Sequence, residues 1–125
     1  MNITVDELLA LGENGATIIN VSKHAGSKEI RGSIRYRPSD LLIADHLALP
    51  IATELPIVLY TESGETLDEE AIAKNLADSG YPTPRILAGG FKAYEATGAP
   101  TQETSMEQLV PPSKKDEVQA LDRRI

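Results

Sequence analysis

The sequence predicts an α/β domain built on a mostly parallel sheet with helices on both faces. Three observations predict it. Short β-branched runs are apolar throughout instead of alternating, a segment of helical periodicity lies between two of them, and glycines punctuate each change of period.

The elements follow in order. Thr4 and Glu7 stand at capping-box spacing, so a first helix is expected over Val5 to Leu11, ended by Gly12 and Gly15. Ala16 to Val21, ATIINV, is a run bounded by Gly15 and the polar Ser22-Lys23, which suits a strand buried on both faces. Pro56 to Tyr60, PIVLY, is a second such strand, and Arg85 to Leu87 before Gly89-Gly90 a third, shorter one. Between the last two, Leu67, Ala71, Ile72, Leu76 and Ala77 recur at helical spacing, with Thr66 and Glu69 as a second capping box and Gly80 as the stop.

Composition narrows the function classes. At 125 residues the chain is of single-domain size, and 41% apolar with 25% charged residues is the make-up of a soluble globular protein. With 19 acidic against 12 basic residues, the net charge of −7 works against binding a phosphate backbone, so no nucleic acid partner is expected. The most apolar stretch, Leu41 to Ala52, is interrupted by Asp45 and His46 and falls well short of the ~20 residues of a membrane helix. Met1 to Leu11 lacks the basic-then-apolar order of a secretory leader, and the expected location is cytoplasmic, with no membrane attachment. There is no cysteine, which removes disulfides, thiolate metal sites and cysteine nucleophiles together.

Open parallel sheets bind ligands beyond the carboxyl ends of their strands. The segment to watch is therefore the turn after PIVLY: Thr61, Glu62, Ser63, Gly64, Glu65 and Thr66, where backbone amides converge at the start of a helix. Composition changes after Pro100. Residues 1–100 are expected as the domain and 101–125 as a C-terminal tail, polar over Thr101 to Ser113 with Pro111-Pro112 as a tether. Its end, Lys114 to Ile125, sets Val118, Leu121 and Ile125 at i, i+3 and i+7, a short amphipathic helix that requires a docking surface to be stable.

Over Ile3 to Pro100 the chain resembles the rhodanese-like domains. The resemblance rests on the opening Ile3-Thr4-Val5-Asp6-Glu7-Leu8, on the strand IINV followed by Glu29-Ile30-Arg31-Gly32-Ser33-Ile34, and on PIVLY with its six-residue loop. Its most specific part is Gly80-Tyr81 followed by Ile86-Leu87-Ala88-Gly89-Gly90-Phe91-Lys92-Ala93-Tyr94, with tyrosine in place of the usual tryptophan. The resemblance implies a central, mainly parallel sheet of about five strands with helices on both faces. In active members a cysteine opens the loop and carries a persulfide; here that position is Thr61. A threonine hydroxyl is a poor nucleophile without a base and carries no transferable sulfur, and the related cysteine phosphatase chemistry falls with it. The family's aspartate and arginine after the second strand align with Asn20 and Ser22, and its glycine–histidine–isoleucine histidine with Ser33.

The expectation is thus a catalytically inactive homologue with no cofactor and no metal, serving as a protein-binding, scaffolding or regulatory module. The loop Thr61 to Thr66 and the tail residues Val118, Leu121 and Ile125 are its candidate contact surfaces. Two alternatives stand beside it: a hydrolase using Thr61 or Ser63 with His24 as base, and a self-assembling protein that docks through the tail as a homo-oligomer. His46 is expected as a partly buried or surface histidine. Glu62, Glu65, Asp68, Glu69 and Glu70 crowd the loop mouth and first helical turn, where carboxylates suit a helix N-terminus and repel anionic substrates.

Overall fold

Four consecutive apolar residues, Ile57 to Tyr60 (β5), are buried on both faces and run through the middle of a five-stranded sheet. The structure, a computed structural model, describes residues 2–12, 15–22, 26–43, 47–62 and 66–108, apart from the side chains of residues 43, 66 and 67. The other strands of this sheet are Asn2–Ile3 (β1), Thr17–Asn20 (β2), Ile34–Arg35 (β4) and Arg85–Leu87 (β6). The spatial order is β1-β6-β5-β2-β4 and each neighbouring pair is parallel. The five parallel strands match the expectation, and β2 and β5 stay in register from Thr17↔Ile57 to Asn20↔Tyr60.

Because side chains alternate along a strand, β5 supplies two cores. Ile57 and Leu59 pack with Leu41 of the helix Pro38–Ile43 (α2) and with Ile72 and Leu76 of the helix Thr66–Asp78 (α3). Val58 and Tyr60 pack on the other face with Val5 and Leu8 of the helix Val5–Ala10 (α1) and with Phe91 and Tyr94 of the helix Gly90–Ala96 (α4). The first capping box forms as its spacing predicts: Glu7 N donates to Thr4 Oγ1 and Thr4 N to Glu7 Oε1, each at 3.1 Å. At the end of α3, Gly80 adopts φ +99°, and Tyr81 N and Gly80 N donate to Leu76 O and Ala77 O, the paired bonds that close a helix. The Tyr81 hydroxyl then accepts from Leu49 N and donates to Leu49 O, tying the connection before β5 to the end of α3.

A second, two-stranded sheet was not anticipated. Lys28–Ile30 (β3) pairs antiparallel with Thr101–Glu103 (β7), Ile30 opposite Thr101. The expected tether is thus corrected over residues 101–108, which lie bonded along the domain. Thr104 Oγ1 donates to Gly26 O, Gln108 N donates to Arg35 O at 2.8 Å, and Glu107 bridges Arg35 and Arg37 at 3.1 Å each. The physical reason is a buried acceptor, Glu29, which draws donors from this polar segment. The expected helix over 114–125, with Val118, Leu121 and Ile125, lies outside the described residues. Among those residues, no helix is long and apolar enough to cross a membrane.

Candidate functional site

The alternation that puts Ile57 and Leu59 against α3 carries on one residue past the strand, and Thr61 points the same way. Its Oγ1 donates to Glu69 Oε1 at 2.8 Å, one turn into α3. Thr61 is 7% exposed and Glu69 0%. The backbone on the other side of the junction is held by α4: Phe91 N donates to Thr61 O at 2.8 Å and Lys92 N to Glu62 O at 3.0 Å. Gly89 and Gly90, at φ +76° and +64°, make the turn that aims these two amides at the loop. Glu62 is tethered too, its Oε1 accepting from Gly26 N at 3.0 Å.

Chemically, this arrangement ties the Thr61 hydroxyl to a buried carboxyl group. A hydroxyl needs both a proton acceptor and room for an electrophile to act as a nucleophile. Glu69 supplies the acceptor, and both side chains are buried, Thr61 at 7% exposed and Glu69 at 0%. The second and third amides of α4, Phe91 N and Lys92 N, bind carbonyl oxygens of the chain instead of facing outward to an anion. Among the described residues no three His, Asp or Glu side chains gather as a metal site would require.

Beneath the opposite face of the same strand ends lies a buried polar network. Glu29 is 0% exposed, and its carboxyl accepts from Asn20 Nδ2 at 3.2 Å, Gln102 Nε2 at 2.7 Å and Ser105 N at 2.9 Å. Asn20 Oδ1 in turn accepts from Ser22 N. At the position of the family's aspartate, Asn20 thus sets a neutral amide that serves a carboxyl group. Next to it, the Tyr60 hydroxyl accepts from Ile30 N at 3.1 Å and lies 2.8 Å from Ser33 Oγ. Since the proton of Ser33 goes to Ile30 O, the Tyr60 hydroxyl is the donor to Ser33. Burial pushes the Tyr60 phenol far above the usual range, against the opposing pull of its bonds to Ser33 and Ile30.

Of the residues singled out from sequence, the structure places Thr61 and Glu62 together at the carboxyl end of β5, with Thr66 opening α3. Ser63, Gly64 and Glu65 of the loop, and both histidines, His24 and His46, lie outside the described residues. One expectation is corrected: Glu69 is not part of the charged mouth but sits fully buried under Thr61, because position 69 falls on the face of α3 that packs on the sheet. Glu70 beside it is exposed. Sequence reasoning missed the Glu29 network. Its signal was present in the polar Asn20 that ends an otherwise apolar strand and in the acid next to Ile30.

The rhodanese-like domain family model matches residues 4–97. No curated protein matches the chain. Among solved structures, a full-length protein from Lactobacillus plantarum superposes with a TM-score of 0.68 at 19% identity, covering 82% of this chain and 88% of that one. A rhodanese-related protein from Thermoplasma volcanium gives 0.61 at 16% identity, covering 81% and 96%. A thiosulfate sulfurtransferase from Pseudomonas aeruginosa gives 0.64 at 28% identity and covers 85% of this chain, which corresponds to 20% of that longer protein. With the model matching most of its length and the parallel sheet in place, this cysteine-free chain belongs to the rhodanese-like domain family.

Proposed function

We propose that this rhodanese-like domain is a non-catalytic module that binds a protein partner through the rim formed by Thr61 to Thr66 and the start of α3. The observation that carries the reading is the Thr61–Glu69 hydrogen bond: the side chain at the family's cysteine position is spent on a buried carboxylate. The rim's composition supports it. The loop Thr61 to Thr66 contains no lysine or arginine, and Glu62, Glu65 and Glu70 give it a negative charge unsuited to thiosulfate or phosphate. A basic or polar protein segment is the complementary partner, with the domain serving as scaffold or regulator.

The test compares capture from native extract by the chain and by its Glu62→Lys/Glu70→Lys variant, with transfer of sulfur from thiosulfate to cyanide assayed in parallel. A protein retained by the chain and depleted about tenfold or more by the charge reversal supports the rim. Equal retention by both forms overturns it, and turnover by the cysteine-free chain overturns the non-catalytic assignment.

A further inference from the structure

At the other end of the strands from Thr61, the face that carries α1 and α4 is incompletely covered. Ile18 of β2 and the preceding Ala16 are half-buried at the base of an open cleft of about 450 Å³. Leu8 and Leu9 of α1 form one wall, Tyr94 of α4 and Pro100 a second, and Ile30 with Arg31 after β3 a third. A volume of this size falls within the roughly 300–1,000 Å³ of small-molecule sites, which combine apolar walls with a few placed polar groups. Here Leu9 is 43% exposed beside the opening, so an apolar surface already faces solvent.

The polar group is Arg31. Its backbone N donates to Pro100 O, fixing the residue at the edge of the cleft. Among the described residues its guanidinium has no carboxylate partner, whereas Arg35 and Arg37 both pair with Glu107. The charge reaches the apolar wall: burial raises the Tyr94 phenol, and nearby Arg31 pulls it back. The Tyr94 hydroxyl donates to Pro100 O at 2.7 Å, and among the described lining residues Arg31 is the one charged side chain. In a chain of net charge −7, an arginine with no carboxylate partner among the described residues, placed at an apolar hollow, is complementary to a negatively charged head on a hydrocarbon body.

We propose that this cleft binds a small amphipathic carboxylate, its apolar body against Leu8, Ile18 and Ile30 and its carboxylate at Arg31. The site is independent of the Thr61 rim, and its ligand would act on the domain from the opposite end of the sheet.

Decanoate is the probe, titrated into the full chain by calorimetry, with 1-decanol as the neutral counterpart. Saturable binding is expected with a Kd below about 1 mM, and about tenfold weaker binding for decanol or for the Arg31→Gln variant. Two variants test the apolar wall. Ile18→Trp fills the cleft, and Leu9→Glu, on the exposed surface of α1, sets a repelling carboxylate at its opening without touching the core; each is expected to abolish binding. No saturable heat with the chain overturns the proposal. So does decanoate binding that is unchanged in both Arg31→Gln and Leu9→Glu, since the anion would then be seated elsewhere.

Discussion

Thr61 Oγ1 donates to Glu69 Oε1 across the junction of β5 and α3, joining the tip of the central strand to the first turn of the helix that covers it. Removing the hydroxyl while keeping the side-chain shape takes this bond away. Thr61→Val is expected to destabilise the fold by about 1–3 kcal/mol, because a buried carboxylate loses a donor, whereas Thr61→Ser stays within about 1 kcal/mol. Urea unfolding of the three proteins checks it.

Restoring the family's nucleophile is not expected to restore its chemistry. In Thr61→Cys the new thiol faces the Glu69 carboxylate, and a neighbouring negative charge and burial both disfavour the thiolate. Iodoacetamide alkylation against pH should show a thiol titrating above the usual ~8.5. The double variant Thr61→Cys/Glu69→Gln should react faster at neutral pH.

Three tyrosines set a limit at high pH. Tyr36, Tyr60 and Tyr94 are all raised above the usual 10.0, in each case chiefly by burial. Their protonated, neutral forms are favoured by the fold, so the unfolded chain releases protons first as the pH rises. Stability from these groups is full below pH 10 and is lost above it, by up to about 1.4 kcal/mol per pH unit for each tyrosine. Denaturation midpoints measured between pH 8 and 11.5 should hold level and then fall, and Tyr60→Phe should make the fall shallower.

The segment 101–108 is secured unequally along its length. Glu29→Ala strips an acceptor from Asn20 Nδ2, Gln102 Nε2 and Ser105 N inside the domain, and is expected to cost about 3 kcal/mol or more. Glu107→Ala removes ion pairs to Arg35 and to the exposed Arg37, and is expected to cost about 1 kcal/mol or less, with the loss shrinking at high salt. Hydrogen exchange should show β7 opening in the first variant and near-native protection in the second.

Two glycines with the same positive φ should respond differently to alanine. At Gly12 an added Cβ meets nothing within 4 Å, so only backbone strain of about 1–2 kcal/mol is expected. At Gly89 the same atom would lie 2.6 Å from Ala93 Cβ, and the helix whose amides hold Thr61 and Glu62 must shift. Gly89→Ala should therefore lower the thermal midpoint by more than Gly12→Ala does.

These contrasts also mark what could be read from the sequence. β2, β5 and β6 announce themselves by β-branched content, and α1 and α3 by caps and apolar spacing, because those signals are local. The β3–β7 pair gives no such signal: Lys-Glu-Ile and Thr-Gln-Glu are three-residue, mostly polar segments, and beside them is a buried carboxyl, two of whose three partners lie more than seventy residues away. Thr61 was found as a position, through its place after an apolar strand. The burial of Glu69 escaped because helix-start acids are ordinarily solvated, and the turn of α3 that carries it inward depends on where the sheet sits.

The closure of Glu29 also has an order in time. Asn20 is made before it and is ready at once, but Gln102 and Ser105 leave the ribosome seventy-three and seventy-six residues later. For most of its synthesis the chain therefore carries this acid with two of its three partners still missing, held open to water beside the edge of the nascent sheet. The Glu29 bond set can be completed only after translation has passed residue 105, so a chain stalled or cleaved before that point would leave this acid without the Gln102 and Ser105 donors.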